Sequence, residues 1–139
     1  MKRTIATGLS LLSLALLGAC QTTTPYPNAG RPDPVMAPAN NPRITVIQPE
    51  LMELLGFDAP IVTKDQGRLR VAVPVRNLTD TRYTLDYKFT FYDEVGREVR
   101  PLFGYQEMIL DAKEQRRPEA TALDTTATDW RFQIKWANR

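Results

Sequence analysis

The chain has 139 residues, enough for one domain, with 18 Lys and Arg against 16 Asp and Glu and no His. Its serines are Ser10 and Ser13 and its one cysteine is Cys20, so beyond residue 20 there is no serine, histidine or thiol. That excludes Ser-His and Cys-His nucleophiles, Cys/His zinc sites and an imidazole base. Without Lys2 and Arg3 the rest of the chain carries 16 cations and 16 acids, and a neutral chain offers no net basic face for nucleic acid.

Residues 1–19 read as a signal peptide. Lys2 and Arg3 form its charged start, and Ile5 to Leu17 is a Leu-rich apolar run. That run is too short for a membrane span of ~20 residues and suits the apolar region of a secretory signal. It ends in Leu17-Gly18-Ala19-Cys20. This junction resembles the bacterial lipobox, which implies lipidation of Cys20 and anchoring by several acyl chains, where a single chain binds only marginally. Gln21, rather than Asp, follows Cys20. In a two-membrane bacterium the resemblance implies sorting to the outer membrane with the domain facing the periplasm.

Residues 20–42 are expected to be the lipidated cysteine and a disordered tether. Six of the 11 prolines fall here: Pro25, Pro27, Pro32, Pro34, Pro38 and Pro42. The segment has no apolar periodicity and too little apolar surface to offset chain entropy. Gln21 to Pro42 would reach ~25–30 Å as a flexible coil.

Residues 43–139 carry the folded pattern. Ile44-Thr45-Val46-Ile47 is a short β-prone run. Gln48 to Gly56 reads as one or two helical turns, with Pro49 at the first helical position and Gly56 as a left-handed stop. Period-two alternation then marks three strands. Leu69, Val71, Val73 and Val75 alternate through Arg68 to Val75, where Pro74 calls for an edge or a bulge. Leu85, Tyr87, Phe89 and Phe91 alternate through Thr84 to Tyr92. Trp130, Phe132, Ile134 and Trp136 alternate through Asp129 to Ala137. Such alternation predicts antiparallel sheet with one wet face, and it makes Phe89 and Phe132 core anchors. Asp65-Gln66-Gly67 and Asn77 to Asp80 are turn signals, and Asp93-Glu94-Val95-Gly96 predicts a tight hairpin returning into Arg97 to Val99. Weaker strands are expected at Glu107 to Leu110 and Glu119 to Leu123. The pattern predicts an all-β fold, an immunoglobulin-like antiparallel β-sandwich with a short N-terminal helical turn. A small barrel is the alternative.

The stretch from Val71 to Val99 resembles the YcfL-like family of small bacterial lipoproteins. It shows a strand, a turn centred on Asn77, a strand with Tyr87-x-Phe89, then Tyr92-Asp93-x-x-Gly96, and the closing strand carries Trp130 to Trp136. The resemblance spans roughly residues 43–137 plus the leader, although family members often carry Trp where this chain has Phe91. The family has no established activity. Its members are often encoded close to lipoprotein activators of peptidoglycan synthases, which implies a setting in envelope assembly by association alone.

The residues themselves favour a non-catalytic binding or scaffold module. Asp93 and Glu94 are adjacent in a hairpin, and the turn accounts for Asp93. A carboxylate-dependent hydrolase, the weakest alternative, needs two acids facing each other across a substrate, ~5–10 Å apart. There is no phosphate-binding Gly-rich loop, and Asp58, Asp65 and Asp80 lack calcium-loop spacing, so no cofactor or metal is expected. Arg68, Arg70 and Arg76 share one strand's outer face or end, and Arg116-Arg117 sit in a loop. These could meet peptidoglycan or another anionic glycan, the second alternative. Expected partners are the membrane, through the lipid, and a periplasmic or outer-membrane protein. The candidate contacts lie in the two loops around Asn77 to Arg82 and Asp93 to Arg100: Arg76, Asn77, Arg82, Asp93 and Arg97.

Overall fold

The computed structural model describes residues 41–137. The expected signal peptide, Cys20 and all but the last two residues of the expected tether lie outside the described residues. The described elements run β1 (Ile44–Val46), α1 (Leu51–Leu54), β2 (Leu55–Phe57), β3 (Ile61–Asp65), β4 (Arg68–Ala72), β5 (Val75–Asn77), β6 (Tyr83–Tyr92), β7 (Gln106–Leu110), β8 (Gln115–Arg116), β9 (Glu119–Thr121) and β10 (Asp129–Trp136).

One layer is a four-stranded sheet in the order β1-β10-β6-β7. Its spine is the antiparallel β6–β10 pair, in register from Asp129 opposite Tyr92 to Trp136 opposite Leu85. The alternation in both strands sets this register, because a slip by one residue would turn every ring to solvent. Phe132 and Phe89 stand opposite each other, 0% and 5% exposed, with ring centroids 4.9 Å apart. Both are core anchors, as the alternation predicted. β1 joins the free side of β10 in parallel, with Ile44 opposite Phe132.

The facing layer consists of two short sheets, β2-β5-β8 and β3-β4-β9. They follow one another along the same three chain runs: β2 into β3, β4 into β5, and β8 into β9. Each junction contains a proline, namely Pro60, Pro74 and Pro118. None of the three can donate to a ladder, so the ladder breaks along a line across the whole layer. Two bonds stitch the break: the Asp58 N–H donates to the Pro74 carbonyl at 3.2 Å and the Val73 N–H to the Pro118 carbonyl at 3.0 Å. The run read as one strand from Arg68 to Val75 is therefore two strands in different sheets. Pro74 sits at their junction rather than at an outer edge.

Three local expectations are corrected. Gly56 is not a left-handed helix stop; it lies in β2, buried and opposite Arg76. The chain leaves α1 through Leu55 at φ −117° and ψ 136°, already extended, because pairing with β5 claims the next residue. Pro49 precedes the cap residue Glu50 and is not the first helical residue. The wet face expected along Arg68 to Val75 stops at Val71, since every residue from Val71 to Asn77 is buried.

The turns follow their residue chemistry. Gln66 (φ 50°) and Gly67 (φ 79°) form a two-residue hairpin between Asp65 and Arg68, the backbone that matches strand twist. At the other hairpin Gly96 has φ 81°. Its return through Glu98 makes one bridge to Tyr92 rather than a full strand.

The core lies between the layers, where Leu51, Leu55, Val71, Val75, Leu85, Leu110, Phe132 and Ile134 are fully buried. Truncating Phe132 to Ala leaves a cavity among apolar core side chains and should cost about 3–5 kcal/mol. Urea unfolding of the full chain measures this, and a variant as stable as the parent would contradict the packing described.

Candidate functional site

The five residues expected to contact a partner fall into three environments. Arg76 lies on β5, the middle strand of its sheet, flanked by Gly56 and Gln115, and is only 8% exposed. Asn77, the next residue, is 0% exposed. Neither is available to a partner, so both expectations are corrected. A central strand whose two faces are covered buries its polar residues along with its apolar ones.

Asn77 is instead a structural tie. Its Nδ2 donates to the Thr81 carbonyl at 2.6 Å, the Asp111 carbonyl at 2.9 Å and, more weakly, the Leu110 carbonyl at 3.4 Å. Its Oδ1 accepts the Thr79 N–H at 2.9 Å and the Thr79 hydroxyl at 2.8 Å. Three carbonyls on one side require the NH₂ there, which fixes the amide's orientation. Two loops are held by this one side chain, 78–82 and 111–114. Lys113, at φ 58°, strengthens the tie: its N–H donates to the Thr79 carbonyl at 3.0 Å and its Nζ to the Leu78 carbonyl at 2.6 Å.

Arg82 is exposed at the end of the first loop and is hydrogen-bonded through Nε to the Asp111 carboxylate of the second. Asp93 and Arg97 lie elsewhere, in the hairpin after β6. Asp93 Oδ1 accepts the Arg97 N–H at 2.9 Å and the Val95 N–H at 3.1 Å, and Oδ2 pairs with the exposed Arg97 guanidinium at 3.2 Å. The ten residues of β6 separate Arg82 from Asp93 by roughly 30 Å at ~3.3 Å per residue. The two loops therefore cannot form one site.

Beside Arg82 a groove of about 690 Å³ opens between the two layers. One lip is β7, with Glu107, Met108 and Ile109; the other is the β8–β9 junction, with Arg116, Arg117 and Pro118. Tyr87 and Asp111 complete it. The Tyr87 hydroxyl donates to Gln106 Oε1 at 2.9 Å, and partial burial pushes its pKa up. Arg116 pairs with Glu114 at 2.8 Å. Of the five residues expected at a contact, only Arg82 reaches this groove. Arg116 and Arg117 were visible as a basic pair, but strand periodicity does not say which edges of two layers will face each other. Among the described residues no group of three or more His, Cys, Asp or Glu could hold a metal ion.

Comparison with known proteins places the fold. The family model described as "Protein of unknown function (DUF1425)" matches residues 43–136, and the chain belongs to that family. Two solved structures share the fold. A DUF1425 family member from Shewanella sp. pv-4 is 23% identical and covers 61% of this chain and 80% of its own, at TM-score 0.56. Campylobacter jejuni cj0090 is 20% identical and covers 70% of this chain and 100% of its own, also at 0.56. No curated protein matches the chain.

Two carboxylates are held below their ordinary range. For Asp93 the main cause is the Arg97 N–H, helped by the Arg97 guanidinium and the Val95 N–H against a smaller effect of burial. For Asp129 burial pushes upward, but the Arg43 side chain, the Trp130 N–H and nearby Arg131 outweigh it. A lowered folded-state pKa contributes stability in full above the unfolded value, ~3.9 for Asp, and loses it as pH falls through the folded value. Asp93→Asn keeps an acceptor oxygen but not the charge. Its urea stability should therefore decline less between neutral and acid pH than the parent's; identical declines would contradict the hairpin's electrostatics.

Proposed function

We propose that this chain is a YcfL-like lipoprotein, lipidated at Cys20 and anchored in the outer membrane of a two-membrane bacterium. Its domain acts in the periplasm as a non-catalytic binding or scaffold module for envelope assembly. The anchor reading is supported by Leu17-Gly18-Ala19-Cys20 and by the Pro-rich segment that follows it. The binding reading is supported by one observation above the others: the groove between β7 and the β8–β9 junction. There Tyr87, Met108 and Ile109 supply apolar surface, and Arg82, Arg116 and Arg117 supply directional donors. Such a mixture of apolar wall and a few convergent polar groups is what binding sites use, and Arg and Tyr are over-represented where partners gain most affinity. A lipid anchor with a tether of this length would raise the domain's effective concentration against neighbours in the same shell of the envelope.

The test has two arms in living cells. Cys20→Ala should release the protein from the membrane fraction and change its gel mobility; unchanged fractionation and mobility would contradict the anchor. Photocrosslinking probes at Arg117 and Ile109 should capture one recurrent envelope protein. The purified protein should not turn over peptidoglycan or simple esters. Turnover abolished by a single carboxylate substitution would overturn the binding reading.

A further inference from the structure

Along one side of the sandwich both layers end without a neighbouring strand. β7 is the last strand of the four-stranded sheet, and β8 and β9 are the last strands of the other layer. The groove lies between these edges. We propose that it takes an extended peptide segment of a partner protein, which joins the outer edge of β7 as an added strand and presents acidic side chains to Arg116 and Arg117. This rests on the binding-module reading above and names its partner chemistry.

Four observations carry the proposal. First, β7 offers five consecutive residues of ladder, Gln106–Leu110, with no strand on its outer side among the described residues. The opposite lip cannot compete for a strand: β8 is two residues long, and Pro118 beside it has no N–H to give. A peptide should therefore pair with β7 and face the other lip with its side chains.

Second, the register of β7 dictates the alternation of the added strand. Met108 is opposite Leu85 and faces the core side, whereas Ile109 is opposite Thr84 and faces outward. A strand laid beside β7 inherits the same two rows. Its groove-facing side chains point toward Arg116 and Arg117. Its outward side chains join a mixed row in which Ile109 and Tyr105, 42% and 41% exposed, flank Glu107 opposite Asp86.

Third, the charge of the groove favours acids in the inward row. The lining holds three arginines and two acids, Glu107 and Asp111. Asp111 is already engaged by Arg82, and Glu107 stands opposite Asp86 on the outward row. Arg117 is exposed and forms no ion pair with another described residue. Arg116 holds Glu114 in a partly exposed pair, and exposed pairs exchange partners at little cost. Two neighbouring guanidiniums can thus turn to a ligand's carboxylates, and guanidinium–carboxylate pairing is the stronger, forked kind of hydrogen bond.

Fourth, a groove of about 690 Å³ is within the ~300–1,000 Å³ range of ligand clefts and suits a short segment rather than a domain. A polysaccharide would use the arginines but leave the strand edge of β7 unused, so the peptide accounts for more of what the groove presents.

The experiment uses the full-length chain in detergent and a labelled short peptide of alternating Val and Glu. Fluorescence anisotropy measures binding, and hydrogen exchange maps it. The expected result is saturable binding that slows exchange at Gln106 to Leu110. Binding should weaken by about tenfold or more, roughly 1.4 kcal/mol, when Lys replaces Glu in the peptide. It should weaken similarly when the peptide amides facing β7 are N-methylated. The Arg116→Glu, Arg117→Glu double variant should lose binding while keeping the parent's urea midpoint, which separates recognition from folding. Equal binding of the N-methylated peptide, or unchanged exchange in β7, overturns strand addition. Binding of sheared peptidoglycan strands with no binding of the peptide overturns it in favour of a glycan ligand. Loss of this inference leaves the binding-module reading to its own test by crosslinking, which uses probes in cells and not this peptide.

Discussion

One buried carboxamide holds together the end of the molecule where the groove lies. Asn77 has no exposed surface and uses both ends of its amide, donating to carbonyls at Thr81, Leu110 and Asp111 and accepting from Thr79. A buried polar side chain is tolerated only when it is satisfied in this way, and an unsatisfied one costs about 1–3 kcal/mol. Loop 78–82 carries Arg82, and loop 111–114 joins β7 to β8. Asn77 ties both, and one residue of each loop, Arg82 and Asp111, lines the groove. Lys113, donating to Leu78 and Thr79, is the second stitch in the same seam.

The layer behind the groove depends on a different constraint. Pro60, Pro74 and Pro118 interrupt three neighbouring chain runs at one level. A single proline in a central run would leave its partners' carbonyls unmatched. Three at one level let the ladder stop and restart together, with the Asp58 and Val73 amides bridging the gap. The same line places Pro118 on the groove's lip. The proline that ends β8 is thus the one that leaves β7 as the better strand edge.

Much of the fold was legible because alternation reports one wet face and one dry one. It located β6 and β10 to within a residue at either end, set their inward rings, and identified Phe89 and Phe132. Gly67 and Gly96 were legible as turn residues, and the structure gives both positive φ. Alternation failed where both faces are covered, as along Val71 to Asn77. It also failed where the strand is short, as in Leu55–Phe57, whose Gly56 looked like a helix stop. It missed β3, where every residue is exposed. Asn77 was misjudged for a related reason. An Asn followed by a turn looks solvated in a sequence, and only tertiary structure shows that the distant carbonyls of Leu110 and Asp111 converge on it beside the local one of Thr81. The groove itself was not legible, since it arises from which strands end each layer, and residues on opposite lips are related by topology rather than spacing.

The central claim is that Asn77 couples the two loops that shape the groove. Hydrogen exchange on the full chain with Asn77→Ala tests it most directly. The account predicts that amides in 78–82 and 111–114 lose protection together, while those of β10, paired on both sides by β1 and β6, keep theirs. Loss confined to 78–82, with 111–114 unchanged, would contradict it.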